Sequence, residues 1–484
     1  MQPQSVIETG NSTIPIKHLP GPRGMPVFGN ARQIVPHRLH AQLESWSHDY
    51  GELYKIKLGP RMVLVCANPQ DIASVLKDRP SRFRRTARLE MVSRELNVMG
   101  LFASNGDDWR RQRTLVMQAF NPAHVRSYYP SLHTVTTRFL NKWRAHADAN
   151  VQFELTPDLV RFTVDVIAGL AFGTDLNTIE SKGAVIQHHL NGVFRMLQKR
   201  LFAPFPYWHW IKLADDRALD KSAMYIGEAT QEFIRLARQR MIDNPALVEH
   251  PENLLEALIA ARDDEQAPLS DADLAGNVLT ILLAGEDTTA HTLAWTIDFL
   301  NKHADAFSRA RAEADQVIGM EDLPSRHEQL GEMAFIEACI HESMRLRPVA
   351  PFIGAEANID TQIGNVAVPK GTFVLLMSRV AATDARHFAN PAEFHPDRWL
   401  GPASPENNRK VSIPFGSGPR LCPGRFMAIE EMKMLVSMVV KHFDIDCIET
   451  PDGKAVQEHL TFTMAPDGLR LRLRRRDAVQ VGRG

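Results

Sequence analysis

The sequence predicts a mainly α-helical chain with small β-sheets, and three observations carry that prediction. Residues 151–262 hold an almost uninterrupted helical pattern, and a largely apolar helical run extends from Ser270 to Leu300. Between Phe426 and His442, the residues Met427, Ile429, Met432, Leu435, Val436 and Val439 recur at helical spacing. Strand signals are short by comparison. At ~150 residues per domain the chain's length suggests about three domains, yet no Gly/Ser linker, low-complexity tract or repeat divides its 484 residues.

A net charge of −1 gives no reason to expect nucleic acid as a partner. The four cysteines, Cys66, Cys339, Cys422 and Cys447, form no C-x-x-C pair, and no signal peptide precedes them. Disulfides and a zinc site are therefore not expected. Residues 1–17 are polar and lack the ~20 apolar residues of a membrane span, which predicts a flexible N-terminus over 1–18, no transmembrane span and a cytoplasmic location.

In chain order, Tyr54–Leu58, a Gly59-Pro60 turn and Met62–Val65 read as a hairpin. Asn68, Pro69 and Asp71 read as N-cap, first turn and N3 of a helix. Residues 79–105 lack clean periodicity and are rich in arginine. Trp109 and Arg113, four apart, share a helix face. The aromatic cluster Phe202–Trp208 reads as a loop, with plain core as the alternative. Ser270 and Asp273 form a capping box with Asp in place of Glu. Inside the helix that follows, Ala284-Gly285-Glu286-Asp287-Thr288-Thr289 breaks local rules, because glycine lowers helix propensity and buried acids cost desolvation. Rules broken in a core element often mark function; threonine back-bonding that bends the helix is the plain alternative. Glu342 and Arg345 sit at i and i+3 on one face, a spacing that usually makes a weak surface pair. Pro369-Lys370-Gly371 reads as the turn of a second hairpin, and Arg470–Arg474 as a strand with solvated arginines and buried leucines.

The densest cluster of special residues is Pro414-Phe415-Gly416-Ser417-Gly418-Pro419-Arg420-Leu421-Cys422-Pro423-Gly424-Arg425. Glycine and proline at this density exclude helix interior, so the segment is a turn-rich loop opening onto the 426–442 helix. Cys422 then precedes a helix N-terminus, where N–H groups and the dipole favour a depressed pKa, hence a nucleophile or a metal ligand. A small buried hydrophobe is the plain alternative.

Phe415, Gly418, Arg420, Cys422 and Gly424 match, position for position, the Phe-x-x-Gly-x-Arg-x-Cys-x-Gly haem-binding signature, and the chain thereby resembles the cytochromes P450. The resemblance runs from about residue 19 to 475 and implies a cytochrome P450 fold in a single large domain, 19–484. It implies haem b (iron protoporphyrin IX) with Cys422 as the axial thiolate, a ligand that pushes electron density toward iron. Gly418 and Gly424 would let N–H groups approach the sulfur, Phe415 would pack beneath the macrocycle, and Arg420 would pair with a propionate. Trp109 and Arg113 match the family's Trp-x-x-x-Arg and imply further propionate contacts.

The helix motif matches [Ala/Gly]-Gly-x-[Asp/Glu]-Thr-[Thr/Ser]. This implies that small Ala284 and Gly285 leave room for O2, that Thr288 hydrogen-bonds the activated oxygen and that Asp287 relays protons. Glu286, at the unspecified position, is expected to face outward. Glu342 and Arg345, completed by Arg398, imply a buried triad serving folding and haem incorporation. Candidate substrate-pocket residues by the same resemblance are Met99, Leu101, Phe102, Leu283, Val349, Phe352, Ile353 and Phe462, with ordinary core as the equal alternative for Met99, Leu101 and Phe102. One departure is plain: Ala355 stands where many members carry a propionate-binding arginine.

The implied activity is that of a monooxygenase inserting one atom of O2 into a hydrophobic small molecule of the fatty-acid, terpenoid or steroid class. Electrons from NAD(P)H would arrive through a separate ferredoxin or flavoprotein; Arg110, Arg111, Arg409, Lys410, Arg425 and Lys433 are a candidate docking patch for an acidic partner, with scattered surface charge as the plain alternative. A peroxygenase or isomerase that needs no reductase and a non-catalytic haem sensor are the rivals. Retention of both Asp287 and Thr288 favours the first reading.

Overall fold

A computed structural model describes residues 13–120, 126–181, 185–203, 205–262 and 270–476. The predicted long helix forms as Asp271–Lys302, its start fixed by reciprocal bonds: Asp273 N–H to Ser270 Oγ at 3.0 Å and Ser270 N–H to Asp273 Oδ2 at 3.1 Å. At 1.5 Å per residue it runs about 48 Å, and its apolar side chains lie in the main core with those of helices Tyr129–Asp148, Leu155–Phe172, Ala334–Leu346 and Arg425–His442. A helix apolar nearly all round must be enclosed in this way.

The five-stranded sheet packs in two smaller cores of its own, while Phe443, Leu471 and Leu473 of another sheet join the main helical core. The largest sheet has five strands in the order Leu53–Leu58, Arg61–Cys66, Phe373–Leu376, Ile353–Ala357, Phe83–Arg84, with only the second and third parallel. The predicted first hairpin is its edge. Asn68 caps the next helix as expected, its Oδ1 accepting from Gln70 and Asp71 N–H at 3.0 Å. Strand Arg470–Arg475 buries Leu471 and Leu473 while its arginines reach solvent.

Pro369–Gly371 does not turn the expected hairpin: Val366–Val368 pairs with Thr361–Ile363, whereas Phe373–Leu376 pairs in the large sheet. The turn passes the chain between sheets. Residues 79–105, despite their lack of clean periodicity, include a helix, Ala87–Glu95, capped by Thr86 Oγ1, which accepts from Leu89 N–H at 3.2 Å. Of the N-terminal stretch expected to be flexible over 1–18, residues 1–12 lie outside the described ones, Ile14–Pro15 pairs with Val366–Ala367, and Ile16 is buried. Lys433 belongs to no basic surface patch, because it is buried with Nζ 2.6 Å from Glu337. Arg110 and Arg111 pair with Asp107 and Asp108.

The Glu458–Leu460/Met464–Pro466 hairpin, whose tip enters the centre, is held by a buried ion network. Arg379 donates to Glu458 at 2.6 Å and to Glu44 at 2.8 Å, and His40 Nε2 lies 2.7 Å from Glu458. Burial alone would raise the Glu458 pKa, but His40, Arg379 and Arg347 outweigh it and hold the carboxyl well below the usual carboxylate range. A depressed folded-state pKa contributes stability that is present above the unfolded value, about 4.3, and is lost as pH falls through the folded value. Glu458→Gln is therefore expected to cost about 3 kcal/mol at pH 7. In thermal melts its deficit against wild type should shrink steadily below about pH 4; a pH-independent deficit would exclude the ionic contribution.

Candidate haem and oxygen site

The Cys422 loop is shaped by two turns. Gly416 has φ +73° and donates to Ile413 O at 2.9 Å, and Leu421 donates to Gly418 O at 3.0 Å across the 3-10 turn Gly418–Arg420. The Cys422 N–H reaches back to Phe415 O at 3.0 Å, closing the loop before helix Arg425–His442. Above it passes the middle of Asp271–Lys302. Between them lies a cavity of about 850 Å3 whose walls include Cys422, Phe415, Gly424, Trp109, Arg113, Arg420, Ala284, Gly285 and Thr288. The far side is apolar and includes Leu101, Phe102, Val349, Phe352, Ile353 and Phe462. The rings of Phe102 and Phe462 meet edge to face at 5.8 Å, joining two distant segments over the space.

Several expected residues sit differently. Met99 and Leu283 are not on the cavity wall: Leu283 packs in the core on another face of its helix, and Met99 presents its backbone to Gly276. A Cβ on Gly276 would come 2.1 Å from Met99 O, and one on Gly100 would come 2.2 Å from Gly276 O. This close approach, with Leu101 N–H donating to Asn277 Oδ1 at 2.9 Å, presses the 98–104 segment onto the long helix. Gly418 has a second reason to be glycine: at φ +69° a Cβ there would come 2.3 Å from Leu76 O. Gly285 clears Ile167, at 2.9 Å, so its smallness serves helix packing. Glu286 does not face outward; it is fully buried, both carboxylate oxygens lack partners, and burial with the neighbouring Asp287 charge pushes its pKa well up.

Thr288 lies half-buried on the cavity wall with its hydroxyl donating to Ala284 O at 2.7 Å. Asp287 is one layer behind it and buried. Thr463 Oγ1 lies 3.5 Å from Asp287 Oδ2 and 3.0 Å from His291 Nδ1, while His291 Nε2 is 4.0 Å from Asp287 Oδ1. Burial pushes the His291 pKa down despite that carboxylate. The triad assembles as expected: Arg345 donates to Glu342 at 2.7 and 2.8 Å, and Arg398 Nε donates at 3.1 Å, all buried.

The expected depression of the Cys422 pKa is absent. Burial pushes the thiol up, against the Gly424 N–H and the charges of Arg113 and Arg425. A sulfur so placed ionises on bonding a cation. Among the described residues no three His, Cys, Asp or Glu side chains converge as a metal site, so an iron held here must bring its other donors, as a porphyrin does.

The arginines fit that porphyrin's propionates. Burial first, and then mutual repulsion, pushes Arg420 down to about 8, Arg79 to about 9 and, by burial alone, Arg85 to about 10. Guanidinium cannot relieve this by losing a proton; it needs counter-anions. Nε of Arg85 and Nε of Arg420 have no partner. Arg420 lies over the Trp109 ring at 4.6 Å and donates to Ser104 O at 2.6 Å, and Arg113 donates to Leu421 O at 2.7 Å. Buried Ala355 pairs with Val374 in the sheet, and Arg79 and Arg85 supply the positive charge that position does not. Local sequence gave no signal for those two, for Asn277 or for the His291–Thr463 contact. Glu431 was also missed: it lines the cavity, and burial pushes its carboxyl well up.

The family model described as Cytochrome P450 matches residues 19–473. Among curated relatives, "Cytochrome P450 4d2" of Drosophila melanogaster is 26% identical over 88% of each chain. "Cyclooctat-9-en-7-ol 5-monooxygenase" of Streptomyces melanosporofaciens is 26% identical, covering 87% of this chain and 88% of its own. "Self-sufficient cytochrome P450 monooxygenase CYP505E5" of Aspergillus niger is 29% identical over 96% of this chain, which spans only 44% of that protein. No helix among the described residues is long and apolar enough to cross a membrane. With haem as cofactor, O2 as co-substrate and electrons derived from NAD(P)H, the chain belongs to the cytochrome P450 family of monooxygenases.

Proposed function

We propose that this cytoplasmic monooxygenase hydroxylates a hydrophobic small molecule of the fatty-acid, terpenoid or steroid class, with electrons delivered by a separate ferredoxin or flavoprotein. One C–H bond becomes C–OH, the second oxygen atom leaves as water, and two electrons and two protons are consumed. The observation that carries this reading is the single cavity bounded by Cys422 on one wall, Thr288 on the facing helix and apolar side chains beyond. The relative named Cyclooctat-9-en-7-ol 5-monooxygenase supports a small-molecule hydroxylation of this kind.

Haem bound through Cys422 supplies the redox chemistry of O2. The chain's own residues do the rest. Arg79, Arg85, Arg113 and Arg420 would hold the propionates and orient the macrocycle. Thr288 has its hydroxyl proton committed to Ala284 O, so its lone pairs face the cavity and hold a proton donor there. Asp287, kept in place by Thr463 and His291, hands protons forward when its carboxyl turns toward Thr288. The apolar lining excludes bulk water, which keeps protons from arriving by other routes. Glu342, Arg345 and Arg398 serve folding and haem incorporation.

Reductase-driven turnover under isotopically labelled O2 tests the function. A library of lipids and terpenoids is expected to yield products carrying one labelled oxygen atom, with peroxide a poor substitute for NAD(P)H and the redox partner. Equal turnover with peroxide alone, or unlabelled product, would replace this reading with a peroxygenase or hydrolytic one.

A further inference from the structure

Asp287 is held by a segment that also forms part of the cavity wall. Hairpin Glu458–Leu460/Met464–Pro466 carries Thr461, Phe462 and Thr463 at its tip, and all three line the cavity. The stem is fixed by the Glu458–Arg379–Glu44 network and by Met464 N–H donating to Val349 O at 2.8 Å. At the tip, Phe462 meets Phe102 edge to face across the space a ligand would fill. From the next position Thr463 Oγ1 reaches Asp287 Oδ2 at 3.5 Å and His291 Nδ1 at 3.0 Å, and these three side chains are all buried.

The hold is weak by its geometry. A separation of 3.5 Å is the outer limit for such a bond, and Thr463 has one hydroxyl proton for two acceptors. With a proton on His291 Nδ1, that nitrogen donates to Thr463 Oγ1, and the hydroxyl is left to donate to Asp287. With Nδ1 bare, it takes the hydroxyl proton instead, and Nε2–H faces Asp287 Oδ1 from 4.0 Å. Either tautomer leaves the carboxyl with one long contact, and no lysine or arginine among the described residues forms an ion pair with it. Consecutive helix residues do not face each other, so the carboxyl must leave Thr463 to reach Thr288.

We propose that Thr463 and His291 are positioning residues that park Asp287 away from Thr288, and that an apolar ligand seated against Phe462 moves the hairpin tip and frees the carboxyl. Protons are then handed forward only when the apolar end of the cavity is filled. The inference rests on the roles proposed above for Asp287 and Thr288 and adds what controls them. Linkage makes it measurable without turnover: if the ligand works against the hold, the hold weakens the ligand by the same factor.

The test is titration of the ferric holoenzyme with imidazole and with 1-dodecylimidazole, following the haem spectrum. Both offer iron the same nitrogen, and only the second carries a tail into the apolar end. Thr463→Val removes the hydroxyl at nearly constant volume. It is expected to tighten 1-dodecylimidazole about fivefold more in the wild-type chain than in an Asp287→Ala background, with no such difference for imidazole. Thr463→Ser, which keeps the hydroxyl, should behave as wild type, and His291→Leu should share the gain. Infrared difference spectra should show a carboxyl band on adding 1-dodecylimidazole that is missing with imidazole and in Asp287→Ala. A gain of equal size in both backgrounds, a loss in place of a gain, or no Asp287 band would each overturn the parking role. Failure of imidazole to shift the haem spectrum, or of the dodecyl tail to add affinity, would instead overturn the reading of the cavity on which that role rests.

Discussion

Glu342→Ala is expected to yield protein with little or no haem. Glu342 accepts from Arg345 Nε and Nη2, from Arg398 Nε, from Trp399 Nε1 at 2.9 Å and from His395 N–H at 3.0 Å, with no solvent access. Arg345 meanwhile donates to Ala382, Pro391 and Glu393 carbonyls at 2.7 to 3.0 Å. One carboxylate therefore ties helix Ala334–Leu346 to the segment that leads into the Cys422 loop. Removing it leaves two buried guanidiniums without their anion, at a cost of about 3–5 kcal/mol, a large fraction of the ~5–15 kcal/mol that holds a domain folded. The measurement is haem absorbance per chain together with the melting temperature. Glu342→Gln, which keeps part of the hydrogen bonding, should fall between the two. Normal yield of fully haem-loaded Glu342→Ala would refute the assignment.

Thr288→Ala is expected to leave haem content and melting temperature near those of wild type while product formed per NAD(P)H falls about tenfold or more, the lost electrons appearing as hydrogen peroxide. The stability half of this follows from local physics. Alanine is the better helix former, and the bond lost is a back-bond to Ala284 O that contributes little to the helix. The coupling half follows from position: Thr288 alone of the acid–alcohol pair reaches the cavity wall, with Asp287 behind it. Without the hydroxyl, a proton from Asp287 has no ordered route forward. Unchanged product per NAD(P)H would remove Thr288 from proton handling.

Much of the site was legible because its residues are close in sequence. The ten-residue Cys422 signature and the six-residue helix motif each place their chemistry within one or two turns of backbone, and glycine, proline and a cap residue announce such geometry locally. Ser270 with Asp273, and Asn68 with Asp71, were read correctly for the same reason. Misreadings came where the deciding contact is distant. Gly418 was read only as a sulfur neighbour, whereas its missing Cβ also clears Leu76, more than three hundred residues earlier. Glu286 looked solvent-facing from its place in the motif, yet the side it occupies is covered by packing, with Thr163 Oγ1 donating to its carbonyl at 3.0 Å. The Pro369 turn was a correct turn in a wrong hairpin, because pairing partners are chosen by sheet edges the local pattern does not encode.

By itself the sequence determined the helical character of the chain, the thiolate loop, the oxygen-handling helix and the membership that follows from them, since all of these are written in short-range spacing and side-chain type. Only the tertiary structure decided which charges meet. It set Arg79 and Arg85 near Arg420 and laid Thr463 and His291 against Asp287. Charge acts through space at distances set by packing, and packing is a property of the whole chain rather than of any stretch of it.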